Sequence, residues 1–309
     1  MLKKQKHLTA AQVKAPIAPP ERDGIAIACV IKDEEDYILE WVNFHALAGI
    51  KDFIIYDDGS TDGSIEILHA LQHVNVTIIP WAQNTSFENV TLSKQAMAFA
   101  HAIENFGGDF RWMAFIDVDE FLVPKTDISL MSQLQSLEKY SNISLPWVMF
   151  GPSNHMTKPD IAVPLAYTER AKTTTDKRIV NFKCIVDPCK VSVVGVHKFA
   201  TVDMLETSVN DHGIMRSHST RLSSEFVVSQ GMQLNHYYTK SHAEMNAKIE
   251  KGSVSGSSKE RRRRKVLEKL NLIEQTTVTD QTAVDFLKRH NINTTEDLRS
   301  YCGKGPPTH

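Results

Sequence analysis

Phe115-Ile116-Asp117-Val118-Asp119-Glu120-Phe121-Leu122 puts three carboxylates within four positions of a segment otherwise built from aromatic and branched apolar residues. Gathering that much negative charge beside an apolar run is costly unless a cation or a set of donors compensates it. In an extended strand alternate side chains share a face, so Asp117 and Asp119 are expected to point the same way while Val118 enters the opposite layer. Two hard oxygen donors directed at one point suit Mg²⁺ or Mn²⁺. A solvated acidic loop after a strand would carry the same letters, so the pattern on either side has to decide.

Upstream, Ile25-Ala26-Ile27-Ala28-Cys29-Val30-Ile31 is a continuous apolar run, the pattern of a strand covered on both faces. Ile38, Trp41, Val42 and His45 then recur at helical spacing, with Gly49 as the stop. Asp52 to Tyr56 reads as a second strand that runs into Asp57-Asp58-Gly59-Ser60-Thr61-Asp62, followed by a second helix. Val76 to Trp81 is a third strand, Leu92 to Phe106 a third helix and Arg111 to Asp117 a fourth strand. Such alternation predicts an α/β fold with a mostly parallel, doubly wound sheet and helices on both faces. Ligands of these sheets bind beyond the carboxyl ends of the strands. Asp57-Asp58 and Asp117-Val118-Asp119 both sit at such ends, so the architecture alone places them on one rim.

The second half changes character. Ser144 to Phe150 and Met232 to Tyr238 read as strands, and Phe182 to Asp187 with Val191 to Val196 as a hairpin turned at Asp187-Pro188. Ser241 and Glu244 have capping-box spacing for a helix closed by Gly252, and a Ser-rich linker precedes two tail helices, Lys259 to Gln275 and Gln281 to His290. The expected organisation is a flexible leader (1–23), a core domain (24–252, with halves 24–124 and 125–252), and a linker with helical tail (253–309).

Lys+Arg of 35 against Asp+Glu of 37 leaves a net charge of −2, so nothing in the overall field marks a nucleic-acid partner and none is expected. No apolar run reaches the ~20 residues of a membrane span, and no secretory signal opens the chain, which points to a cytoplasmic protein. Cys29, Cys184, Cys189 and Cys302 have no metal-binding spacing and are expected as reduced thiols, with Cys184–Cys189 the one pair a hairpin could bring together. Lys259-Glu260-Arg261-Arg262-Arg263-Arg264-Lys265 is the strongly basic cluster. Its plain reading is a solvated helix start. The sharper one is contact of Arg261–Arg264 with an anionic membrane, peripherally at its inner face.

The acidic pair before Gly59-Ser60-Thr61-Asp62, together with Asp117-Val118-Asp119, resembles the nucleotide-sugar site of GT-A-fold glycosyltransferases, family 2 among them. Glu40-Trp41-Val42-Asn43-Phe44-His45, Phe115 to Pro124, Trp147-Val148-Met149-Phe150-Gly151, Val196-His197 and Asn235-His236-Tyr237 look specifically like family 92. The likeness runs from about Ile25 to Gly252. It implies inverting, metal-dependent transfer of a sugar from a nucleoside diphosphate, UDP-linked, to a hydroxyl of a glycan or glycolipid in polysaccharide or lipopolysaccharide synthesis. Asp119 would hold the Mn²⁺ or Mg²⁺, Asp117 the ribose or a metal-bound water, and Asp57 or Asp58 the base or ribose. Lys32 and Glu34 would border the nucleotide, and Lys183, Arg170 and Lys240 are the diphosphate partners on offer. His236, between a strand and a capped helix, is the third metal ligand, with His197 as its rival.

An inverting transfer needs a carboxylate base. Asp160, Asp187, Asp211 and Glu244 are available, Glu244 with a competing explanation as capping-box partner of Ser241, and the sequence singles out none of them as the base. Other readings fit less well. A dinucleotide-dependent dehydrogenase needs a glycine-rich first loop where this chain has Lys32-Asp33-Glu34-Glu35. An aspartyl phosphohydrolase would carry its Asp-x-Asp after the first strand. An inactive carbohydrate- or partner-binding module of the same shape remains the non-enzymatic alternative.

Overall fold

The computed structural model describes residues 6–83, 85–87, 90–250 and 259–303. From the N-terminus these form β1 (Lys6–Leu8), β2 (Ala10–Gln12), β3 (Asp23–Ile31), α1 (Ile38–Leu47), β4 (Asp52–Asp57), α2 (Ser64–Ala70) and β5 (Asn75–Pro80). There follow β6 (Ser86–Phe87), β7 (Val90–Leu92), α3 (Lys94–Phe106), β8 (Phe110–Phe115), β9 (Glu120–Pro124), α4 (Leu130–Ser136) and β10 (Asn142–Met149). Next come α5 (Val163–Ala166), β11 (Glu169–Ala171), β12 (Phe182–Val186), β13 (Val191–Gly195), β14 (Phe199–Thr201), β15 (Thr207–Val209), β16 (Met215–Ser217) and β17 (Met232–His236). The chain ends in α6 (His242–Glu250), α7 (Lys259–Gln275), β18 (Thr277–Thr279), α8 (Thr282–Arg289) and α9 (Thr295–Arg299).

In the main sheet the strands run β5-β4-β3-β8-β12-β10-β15-β16, and β5, β4, β3 and β8 are parallel. Because β3 pairs with β4 on one side and with β8 on the other, the strand order reverses between β3 and β8. That reversal opens a crevice at their carboxyl ends, where ligands bind in open α/β sheets. Period-two alternation fixes the two layers. Ile25, Ile27 and Cys29 of β3 face the core under α1, while Ala26 and Ala28 face Ala98, Phe99 and Ala102 of α3. Small residues on both partners let α3 sit close, and Ser93 caps it by accepting from the Ala96 N–H.

Several expectations need correcting. The fourth strand stops at Phe115, and Asp117 to Asp119 form a turn closed by the Glu120 N–H to the Asp117 carbonyl at 3.0 Å, so the two aspartates do not share a strand face. β12 and β13 are not a hairpin. β12 fills the gap between β8 and β10, with both edges occupied, so β13 is turned out at Pro188–Lys190 and pairs with β14 and β2. The described part of the leader is tied to the rest of the fold: β1 pairs with β7, β2 with β13, and Arg22 ion-pairs with the buried Asp187. All four cysteines are free, Cys184 lying beside Ser144 and Cys189 beside the Gly107 carbonyl.

The tail is helical as expected, but it belongs to the core. Phe286, Leu287 and Leu298 are buried in the same cluster as Trp41 and Phe44, Asn43 donates to the carbonyls of Leu298 and Arg299, and β18 pairs with β11. This explains why α1 is buried on nearly every side. Gly252 and the Ser-rich linker lie outside the described residues. Among the described residues no helix is long and apolar enough to cross a membrane.

Candidate functional site

The loops after β3 and β4 are laced together at the rim. Asp33 N–H donates to Ser60 Oγ, Glu34 N–H to Ser64 Oγ and Glu35 N–H to Asp62, and in return Thr61 N–H reaches Asp33 and Gly63 N–H reaches Glu35. Asp57, not Asp58, makes the local turn, accepting from the Ser60 N–H at 2.8 Å. This leaves the Asp58 carboxylate to pair with Lys94. Lys32 donates to the carbonyls of Asp58 and Gly59, so in this state it braces the loop. Gly59 has φ +75° and its missing Cβ would lie 3.1 Å from Ala82 Cβ, so only glycine fits the bend without strain.

Asp58 and Asp117 are tied by consecutive residues at the start of α3. Lys94 holds Asp58, and Gln95 donates to Asp117 Oδ1 at 2.5 Å. The other oxygen of Asp117 accepts from Lys183 Nζ at 2.8 Å. Lys183 reaches it because β12 lies antiparallel beside β8, with Cys184 opposite Phe115. Its ammonium also lies 3.6 Å from Glu120 Oε2. Burial opposes the charge on Lys183, but Asp117 and Glu120 outweigh it and raise its pKa.

The turn then delivers Asp119 and Glu120 to β17. In the antiparallel β9–β17 register His236 stands opposite Glu120, and Trp41 Nε1 and the Tyr237 N–H fasten the backbone carbonyls of Glu120 and Asp119. One ligand atom from each of Asp119, Glu120 and His236 can be chosen so that all lie within 4.8 Å of one another. Glu120 is fully buried, and both its Oε1 and His236 Nδ1 lack a hydrogen-bond partner. An orphaned buried carboxylate oxygen is expensive, and a cation would satisfy Glu120 Oε1, while His236 turns its Nε2 to Asp119 Oδ1 at 3.4 Å. Burial raises the Glu120 carboxyl and lowers the His236 imidazole towards the neutral form a metal requires. Burial also works against ionising Asp119, but Lys248 and His236 hold it well below the usual carboxylate range. The residues present therefore fit a divalent ion.

The three differ from the expected set, for Asp117 is engaged by Gln95 and Lys183 and Glu120 takes its place. His197 is not among them. Its Nδ1 meets the Phe182 carbonyl, its ring packs edge-on against Trp147, and burial pushes its pKa down to about 4. Arg170 is committed to Asp280. Glu244 accepts from Tyr37, Tyr167 and Ser241 and so completes the cap of α6, at the border of the cavity beside this cluster. The other carboxylates considered are structural: Asp160 is an exposed partner of Arg299, Asp187 joins Arg22 and Arg111, and Asp211 collects the N–H groups of Gln230, Gly231 and Met232.

A cavity of ≈ 340 Å³ opens beside the cluster, bordered by Lys32, Glu34, Tyr37, Asp119, Lys240 and Lys248. Lys240 sits over the Tyr37 ring at φ +48°. Lys94, Gln95 and Lys248 were not identifiable as site residues from spacing, which gives Glu120, though part of the acidic motif, no role of its own. For Glu120 a signal existed, since a third acid in the motif faces any strand that pairs with β9.

Among curated proteins, the chain is 24% identical over 178 residues to a family 92 glycosyltransferase protein of Oryza sativa subsp. japonica, covering 55% of this chain and 29% of that one. It is 26% identical over 181 residues to one of Ricinus communis, covering 54% and 30%. The chain thus spans under a third of the length of these relatives. Two solved structures overlap loosely at TM-score 0.27. Glucosyl-3-phosphoglycerate synthase from Mycobacterium tuberculosis, with phosphoglyceric acid, is 18% identical and covers 46% of this chain and 49% of its own. A UDP-glucose pyrophosphorylase complexed with UDP-glucose is 9% identical and covers 74% and 100%. Sequence carries the assignment instead: the model described as glycosyltransferase family 92 matches residues 26–272. With that span, which takes in the whole crevice and most of α7, the chain belongs to glycosyltransferase family 92.

Proposed function

We propose that this chain transfers a sugar, with inversion, from a UDP-linked donor to a hydroxyl of a glycan or glycolipid, with Mn²⁺ or Mg²⁺ held by Asp119, Glu120 and His236. The observation that carries this reading is the convergence of ligand atoms from those three residues, with the buried Glu120 Oε1 left without a partner, at the strand-order reversal of a family 92 chain. A divalent ion there would neutralise charge gathering on the departing diphosphate. Asp58 and Asp117, held side by side through Lys94 and Gln95, would orient the base and ribose. Lys183 pairs with Asp117 and lies close to Glu120 without leaving its buried place, a fixed positive charge at the back of the centre.

The test is a thermal-shift series of UDP-sugars with and without Mn²⁺, followed by Mn²⁺-dependent hydrolysis of any that bind. A donor at about a hundred times its dissociation constant stabilises the fold by ~2.7 kcal/mol. If no UDP-sugar shifts the transition in Mn²⁺, the reading is lost. The exposed Arg261, Arg263 and Arg264 at the start of α7 support peripheral contact with an anionic membrane carrying the acceptor. Binding to phosphatidylserine vesicles that survives alanine at all three would remove that part.

A further inference from the structure

Lys248 is a site residue to which neither the metal nor the nucleotide assignment gives work. It lies on α6, whose start is anchored by Glu244 through the hydroxyls of Tyr37 and Tyr167 and whose Met245 and Ile249 pack on Val266 and Leu270 of α7. One turn on from Glu244, Lys248 projects from the same face. Its Nζ donates to Asp119 Oδ2 at 3.0 Å and to the Tyr238 carbonyl at 3.3 Å. Asp119 Oδ1 faces His236 Nε2 at 3.4 Å, so both oxygens of the carboxylate are in use. The ammonium therefore occupies the charge position that a divalent ion at Asp119, Glu120 and His236 must share.

We infer that Lys248 is the resident cation of this centre, displaced from Asp119 when a divalent ion binds and then turned to the donor's phosphates. The inference rests on the metal reading given above. Two cations competing for one carboxylate repel each other, and the mobile one yields. Lys248 is the mobile one: its side chain is 40% exposed, on a four-carbon stem, beside the cavity that Lys32 and Lys240 also border. Lys183 cannot take this part, being 1% exposed and fixed between Asp117 and Glu120. Release of Lys248 would make the metal bind first and the nucleotide second.

Mn²⁺ alone, titrated into the full chain and followed by the electron paramagnetic resonance of the free ion, is the first probe. Lys248→Met is expected to bind Mn²⁺ about tenfold tighter than the unmodified chain, from the loss of one charge-assisted contact. Lys248→Arg, which keeps a cation, and Lys269→Met, which removes a neighbouring lysine that does not touch Asp119, should match the unmodified chain. At saturating Mn²⁺, UDP should bind Lys248→Met about tenfold more weakly. An unchanged Mn²⁺ affinity in Lys248→Met, or an unchanged UDP affinity, overturns the inference. Failure of the unmodified chain to bind Mn²⁺, or undiminished binding by Asp119→Asn, would instead overturn the metal reading beneath it. A structure determined with Mn²⁺ gives a check free of substitutions: Lys248 Nζ should lie beyond hydrogen-bond reach of Asp119, and its staying there beside a bound ion refutes the exchange.

Discussion

Acid should unfold this protein partly through His45, a residue with no part in the chemistry. Its Nδ1 lies 2.8 Å from the Trp41 carbonyl and must carry the proton, so Nε2 is left to accept from the Leu122 N–H at 3.1 Å. Through that second bond α1 holds β9, and with it the turn that presents Asp119 and Glu120. A second proton on the ring would break the contact, and complete burial pushes the imidazole from its ordinary 6.5 down to about 3. Because the folded pKa is depressed, the stabilisation is present above about pH 6.5 and is lost as pH falls from there towards 3. At about pH 5 the unfolded chain has gained roughly 1.5 units of proton-binding advantage, which is ~2 kcal/mol. The perturbation is His45→Gln, which removes the titration and leaves groups able to donate and accept. Urea unfolding followed by tryptophan fluorescence, with Trp41 4.8 Å from the His45 ring as reporter, gives the stability of both proteins from about pH 7.5 to 5. The variant should start less stable by ~1–3 kcal/mol. That gap should then narrow by ~2 kcal/mol at the acid end, while the histidines common to both proteins cancel. A gap that stays constant with pH would refute the reasoning.

Asp187 is 1% exposed and meets both Arg22 and Arg111, so Asp187→Ala should cost ~3–5 kcal/mol in urea unfolding and release the 6–22 segment to proteolysis. Gly59→Ala forces φ +75° on a residue with a side chain and presses on Ala82, so it should lower stability by ~1–2 kcal/mol and weaken UDP binding, as read by calorimetry. Glu120→Gln should lower Mn²⁺ affinity at least about tenfold without reducing the melting temperature of the metal-free protein, since an ionised Glu120 is costly where it is buried.

The parallel half was legible because its signal is local: seven apolar residues from Ile25 to Ile31 read as a covered strand, and Gly49 stops its helix where steric rules require. What the sequence could not show is set by pairings between distant segments. Whether Phe182–Val186 folds back on Val191–Gly195 or enters the main sheet depends on an empty place between β8 and β10, which no local pattern of these residues encodes. The site follows the same division. That Asp58 and Asp117 share a rim comes from strand ends, which periodicity predicts. The partner of Asp119 is a different matter. A strand reading makes Asp117 its companion, but a turn rotates the following residue, Glu120, onto the first rung of β9, opposite His236, and gives Asp117 to Lys183. The choice is energetic: two acids in adjacent positions can be kept apart only if each finds its own cation. Lys183 arrives from a strand inserted beside β8, and Lys248 from a helix more than a hundred residues downstream of the turn it neutralises. The acids could be read from spacing because the chain places them in sequence, whereas their counter-ions are assembled by the fold.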